Sequence, residues 1–140
     1  MQTTLLLVLG FGTFLQQAPE VSQVASDNAA FTRIGSEKNL EAKKKLVQSF
    51  ERNFPKSDHL PQVYMDLSRM LANNTDFVNA KMYAEKAVGT VAKMKSEPSD
   101  SSRQQWLNSM DTSTKSNLAW VKQMSDWRDR QLRSNVLGKR

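Results

Sequence analysis

The chain offers few residues to chemistry: one histidine, His59, no cysteine, and carboxylates spread along 140 residues. Without cysteine there can be no disulfide, thiolate zinc site, thiol nucleophile or lipid-modified thiol. One imidazole also rules out any centre that needs two or three. His59 follows Pro55 in a loop beside Asp58. A catalytic base needs an orienting partner and a proton to take, and the sequence supplies neither, so His59 reads as an exposed turn residue. Asp66 with Glu85 or Asp76 could in principle pair as glycosidase carboxylates do. Asp66, however, falls on the polar side of a helical stretch, and Asp76 stands where a helix needs a cap. The five glycines are scattered, with Gly89 inside a helical run, so no glycine-rich loop cradles phosphate. The expectation is a non-catalytic chain with no cofactor, no metal site and no evident small-molecule substrate.

The charge balance is basic, +6 in all. Lys43, Lys44 and Lys45 are flanked by Glu37, Glu41 and Glu51, which makes them a solvated helix face. The stretch 126–140 is different: Arg128, Arg130, Arg133, Lys139 and Arg140 outweigh Asp126 and Asp129, for a net +3. With Trp120 and Trp127 nearby, such cations can grip phosphates and stack on bases. Arg128, Arg130 and Arg133 are therefore candidate polyanion contacts, for nucleic acid or, in an exported protein, for acidic envelope polymers. That is the second functional reading.

Export is suggested by the N-terminus. Residues 5–15, LLLVLGFGTFL, carry no charge. As a helix they reach roughly 16 Å, about half of a bilayer's apolar core. That is too short to span and suits the core of a signal peptide. Val24 and Ser26 are small residues at −3 and −1 of a cut after Ser26, which would leave 114 of the 140 residues. The expected organisation is a signal peptide over 1–26 and a short linker over 27–39. A helical core over 40–95 follows, then a loop over 96–102 and C-terminal helices over 103–140 with a basic tail. No span is expected after signal removal.

Past residue 27 no strand-like alternation occurs; apolar residues recur at helical spacing between short polar breaks. In the first such segment Leu40, the Lys43 stem, Leu46, Val47, Phe50 and Phe54 share a stripe. Asn39 stands at its start as an N-cap, and Pro55 stops it. In the second, Pro61 sits in the first turn, and Leu60, Val63, Tyr64, Leu67, Met70 and Leu71 form the apolar face. Asn73 and Asn74 end it. Asp76 caps a third segment. Trp106, Leu107 and Met110, then Leu118, Trp120, Val121, Met124, Trp127 and Leu132, mark helical segments further on. The prediction is an all-α fold of about five helices.

One stretch is more specific. Tyr64-x2-Leu67-Ser68-x2-Leu71 is followed, after a turn containing Asp76-Phe77, by Ala80-x3-Ala84-x2-Ala87. Small residues (Ser68, Ala80, Ala84, Ala87) fall where two helices would approach closely. Large ones (Tyr64, Leu67, Leu71, Phe77, Tyr83) would fill the adjoining grooves. This pattern resembles the tetratricopeptide repeat (TPR), and Phe54-Pro55-Lys56-Ser57 resembles the exit turn common in TPR-like modules of bacterial envelope and exported proteins. The resemblance covers about residues 40–95. Ala84 departs from it, standing where a bulky aromatic is frequent. The proline usual after the second helix is missing too, so that helix should run on to about Lys95. Residues 117–131 read either as a degenerate further repeat turning at Ser125-Asp126-Trp127 or as one long helix, with Arg130 fitting the repeat poorly. The resemblance implies antiparallel helix pairs stacked as a short superhelix, and a scaffold that binds another protein or its own copy.

Overall fold

The computed structural model of the chain describes residues 20–138, and its described residues are helical throughout, joined by short turns. Five helices run in chain order: α1 (Glu20–Ser36), α2 (Leu40–Asn53), α3 (Leu60–Asn73), α4 (Phe77–Lys95) and α5 (Ser101–Leu137). The architecture is the expected all-α one. The expected signal-peptide core at residues 5–15 lies outside the described residues.

Local signals account for the boundaries. Asn39 Oδ1 accepts the Ala42 N–H at 2.9 Å and starts α2; Asp76 Oδ1 accepts Asn79 N–H at 3.2 Å and starts α4. Asp100 does the same for Arg103 N–H at 2.8 Å, so α5 begins inside the stretch 96–102 that reads as loop. Each cap satisfies a donor that a helix start leaves orphaned. α2 ends before Pro55, and its last turn is closed by Phe54 N–H donating to Phe50 O at 2.8 Å. α3 ends at Asn73, and two residues on Thr75, whose φ of 63° is left-handed, turns the chain. There Thr75 N–H donates to Ala72 O at 2.9 Å and Asp76 N–H to Leu71 O at 3.0 Å, the paired closure of a Schellman turn. Glycine is the usual occupant of that position, and a β-branched residue there is strained.

α3 is the hub, packing against each of the other four helices. Leu60, Val63, Tyr64, Met65, Leu67, Leu71 and Ala72 are all buried on it, and burying one such side chain is worth about 1.5–3 kcal/mol. Its closest neighbour is α4, which presents Ala80, Ala84 and Ala87, all fully buried. Ser68 Oγ donates to the Ala80 carbonyl at 2.9 Å. A side-chain hydroxyl reaches a backbone carbonyl on the next helix only when the two backbones lie close together. Tyr83 is buried in the same seam; Phe77 is half-buried at its end.

Three expectations need correction. The stretch 27–39 is not a linker: α1 runs through most of it. Its helical face is sparse, with Ile34 buried and Ala30 and Phe31 half-buried, too few apolar positions to register as an amphipathic period. The C-terminal region is not several helices, and of the two readings of 117–131 the long helix is the one found, not a repeat turning at Ser125–Trp127. It is one uninterrupted 37-residue helix, because nothing between Arg103 and Leu137 breaks it: no proline, no glycine. Third, His59 lies in a turn as expected, but it is half-buried and supports α1 rather than standing in solvent. Its ring stacks on Phe31 with centroids 4.2 Å apart, and Nε2 lies 2.6 Å from Asn28 Oδ1. Ser57 Oγ, 2.8 Å from an Asp27 carboxylate oxygen, fixes α1 to the same loop.

The close seam predicts a size limit at Ala80. Ala80→Leu should overpack α3 against α4 and lower unfolding free energy by about 1–3 kcal/mol, measured by chemical denaturation. An unchanged midpoint would mean that the two backbones do not meet there.

Candidate functional site

α5 is about 55 Å long at 1.5 Å per residue and carries one aromatic stripe, which borders α3 at Trp120. Trp106, Trp120 and Trp127 stand on it, separated by fourteen and seven residues, and seven residues is close to two full turns. Three shallow openings follow one another along this stripe. The first, about 360 Å³, is lined by Asp58, His59, Arg103 and Trp106. The second, about 380 Å³, is lined by Arg69, Asn73, Ser116, Asn117 and Trp120. The third, about 420 Å³, is lined by Trp120, Gln123, Met124, Trp127 and Arg130. Trp120 is shared by the last two, so they adjoin.

The first two openings are held by polar contacts. Arg103 grips Asp58 with two hydrogen bonds, 2.6 and 2.8 Å. The hydrogen bond and charge of Asp58 raise the Arg103 pKa above its ordinary value, so the guanidinium stays charged. In the middle, Arg69 Nε donates to Asn117 Oδ1 at 2.9 Å, and Asn117 Nδ2 donates to Ser68 Oγ at 3.3 Å. Ser68 in turn donates to Ala80 O. The surface arginine is thus tied through a buried asparagine to the α3–α4 seam, and Asn117 and Ser68 are both satisfied although buried.

The candidate polyanion residues separate around the helix. Arg128 is half-buried: its Nη1 donates to Thr75 O at 2.8 Å and its guanidinium lies 5.6 Å from the Phe77 ring centroid. It caps the strained turn. Arg130 opens onto the third opening, and Arg133, like Arg130, is exposed. At 100° per residue Arg130 and Arg133 are neighbours on one face, while Arg128 lies well away from both. The helix-packing set Tyr64, Leu67, Ser68, Leu71, Phe77, Ala80, Tyr83, Ala84 and Ala87 lies together in the α3–α4 region.

No constellation among the described residues activates a nucleophile. Asp66 accepts from Gln62 at 2.8 Å on its own helix, and Glu85 pairs with Lys81 at 3.8 Å. Tyr64 donates to Glu51 at 2.7 Å, and burial together with that carboxylate pushes its phenol well above the ordinary range, so it keeps its proton. Lys86 also reaches Glu51, at 2.6 Å, and lies over the Tyr64 and Tyr83 rings. This cluster ties α2, α3 and α4 together. No three His, Asp or Glu side chains among the described residues stand close enough to hold a metal ion. The α3–α5 face can bind through aromatic plates and guanidinium groups.

Arg69, Arg103, Trp106, Asn117 and Gln123 are site residues that the sequence reading did not single out for function. The seven-residue spacing of the tryptophans was the available signal, since residues at that interval share a helix face. Arg69 and Asn117 carry no such mark; only the tertiary packing joins them.

A pH test probes how α5 is fixed on α4. Asp111 of α5 accepts from Lys115 at 2.9 Å and from Lys95 of α4 at 3.2 Å. The Lys115 hydrogen bond, then that of Lys95, lowers its pKa below the ordinary carboxylate value. A depressed folded-state pKa gives stability that is present above about pH 4 and is lost as pH falls through the folded value. Asp111→Asn should therefore cost under about 1 kcal/mol near neutrality and nothing at the acid end, so the two denaturation curves converge on acidification. Parallel curves would contradict the Lys95–Asp111 tie. Comparison with known protein families, curated proteins and solved structures finds no match to this chain.

Proposed function

We propose that the chain is an exported, non-catalytic, TPR-like scaffold that binds an extended segment of another protein along the α3–α5 face. The tryptophan stripe carries this reading: Trp106 to Trp127 spans about 32 Å of helix, the reach of about ten residues of extended chain. Trp127 is 52% exposed although it is among the largest side chains of the molecule, and aromatic and arginine side chains are the usual anchors of protein interfaces. The TPR-like pattern from Tyr64 to Ala87 and the packed α3–α4 pair support the repeat reading. Residues 5–15 support export. A cut after Ser26 would keep the contacts that hold α1, because Asp27, Asn28, Phe31 and Ile34 all lie beyond it.

A second reading, a basic surface that binds polyanions, has one observation in its favour. Among the described residues, Arg130 and Arg133 have no carboxylate within 4.0 Å.

Site-specific photo-cross-linking in the producing cell separates the two. A photoreactive residue replacing Gln123, in the third opening, should yield a defined protein adduct. The same residue replacing Glu85, exposed on α4, should not. Equal labelling at both positions, or nucleic acid as the main adduct at Gln123, would overturn the scaffold reading.

A further inference from the structure

The large apolar side chains that remain exposed among the described residues are Val78 and Met82 on α4, and Trp127, Leu132, Val136 and Leu137 on α5, each between 42% and 81% exposed. They gather at one end of the molecule. α4 and α5 run antiparallel: Lys95 meets Asp111 at 3.2 Å at one end, and Arg128 lies over Phe77 at 5.6 Å at the other. The start of α4 therefore lies beside residues 121–128 of α5. Beyond Arg128, α5 continues for nine residues, about 13 Å, past the α3–α4 turn. Leu132 and Val136 continue the core-facing stripe of Val121 and Arg128 into this overhang.

The charges on the overhang follow a rule. Asp126, Asp129, Arg130 and Arg133 are all exposed and occupy positions i, i+3, i+4 and i+7, which share one helix face. This face continues the Asp111–Lys115 stripe that borders α4, and Arg130, at its far edge, borders the tryptophan groove. The order of signs is minus, minus, plus, plus. Asp126–Arg130 and Asp129–Arg133 have the spacing of intrahelical ion pairs, yet no bridge within 4.0 Å forms among the four.

We propose that a second copy of this chain docks on the overhang, antiparallel and two-fold symmetric about the 129–130 peptide bond. In that register Asp126 of each copy meets Arg133 of the other, and Asp129 meets Arg130, so all four charges are matched. A two-fold axis sets like flanks side by side. Leu132 and Val136 lie on the α4 flank of the charged stripe, so those of one copy cover Val78 and Met82 of the other. Two-fold self-complementarity is the commonest route to a homodimer. Val78, Met82, Leu132 and Val136 together expose on the order of 400 Å², about half of the ~800 Å² each partner buries in a stable interface. A parallel copy would set like charges together, and an acidic membrane would repel both aspartates. This proposal does not depend on the scaffold reading, although Arg130 stands at the border of both surfaces.

The test is sedimentation equilibrium of the full chain at low ionic strength across the micromolar range. The parent should form a dimer. D126R/D129R makes the stripe all positive and R130D/R133D makes it all negative; each alone should associate at least about tenfold more weakly. Mixed in equal amounts they should form a heterodimer, and the fourfold exchange D126R/D129R/R130D/R133D should restore the homodimer. All four positions are exposed and outside the core, and circular dichroism of each variant checks that the fold is kept. A parent that stays monomeric, or charge variants that associate as the parent does, would overturn the proposal. So would a mixture that shows no heterodimer.

Discussion

Everything in this molecule depends on how closely α3 and α4 approach. Ala80, Ala84 and Ala87 have no side-chain bulk beyond Cβ, so the α4 backbone can settle onto α3 near enough for Ser68 to hydrogen-bond the Ala80 carbonyl. Dispersion contacts are individually weak and fall off steeply with distance, so a gap of half an ångström along this seam would forfeit a large part of them. The same serine accepts from Asn117, which in turn holds Arg69. One buried hydroxyl thus registers two helices and positions the third.

That third helix gives the protein its functional surface. α5 is longer than any helix it packs on, so part of it is core, part is groove and part is overhang. Leu107, Thr114, Asn117 and Val121 face inward and are buried. Trp106, Trp120 and Trp127 lie along one stripe, bordering α3 at Trp120, and the charged stripe continues the side of Asp111, which meets Lys95 of α4. A single helix carries two surfaces because their residues sit on neighbouring arcs of its circumference, which meet at Arg130. The Arg128 contact with Thr75 O and Phe77 marks where the packed part ends. It also braces a turn whose threonine adopts a conformation suited to glycine.

Much of this was legible in the sequence, for physical reasons. Asn39, Asp76, Pro55 and the Asn73-Asn74 pair act within one helical turn, so local chemistry located those boundaries, and the missing proline after Val88 placed the end of α4 at Lys95. The small-residue positions Ser68, Ala80, Ala84 and Ala87 were legible because close packing demands them at fixed spacing. What escaped was non-local. α1 buries too little apolar surface to show a period; it is held by Asp27 to Ser57, Asn28 to His59, and Phe31 on the imidazole, partners about thirty residues away. The single α5 was ambiguous because serines, threonines and asparagines between 108 and 117 lower helix propensity without breaking a helix. The groove residues Arg69 and Asn117 are 48 positions apart and meet only in the folded chain.

Residue-resolved amide hydrogen exchange tests the central claim most directly. If the α3–α4 seam anchors the fold, the slowest amides lie in α3 and in α4 from Ala80 to Val91, exchanging only through global unfolding, while α1 opens at lower cost. Faster exchange in that seam than in α1 or α2 would contradict it.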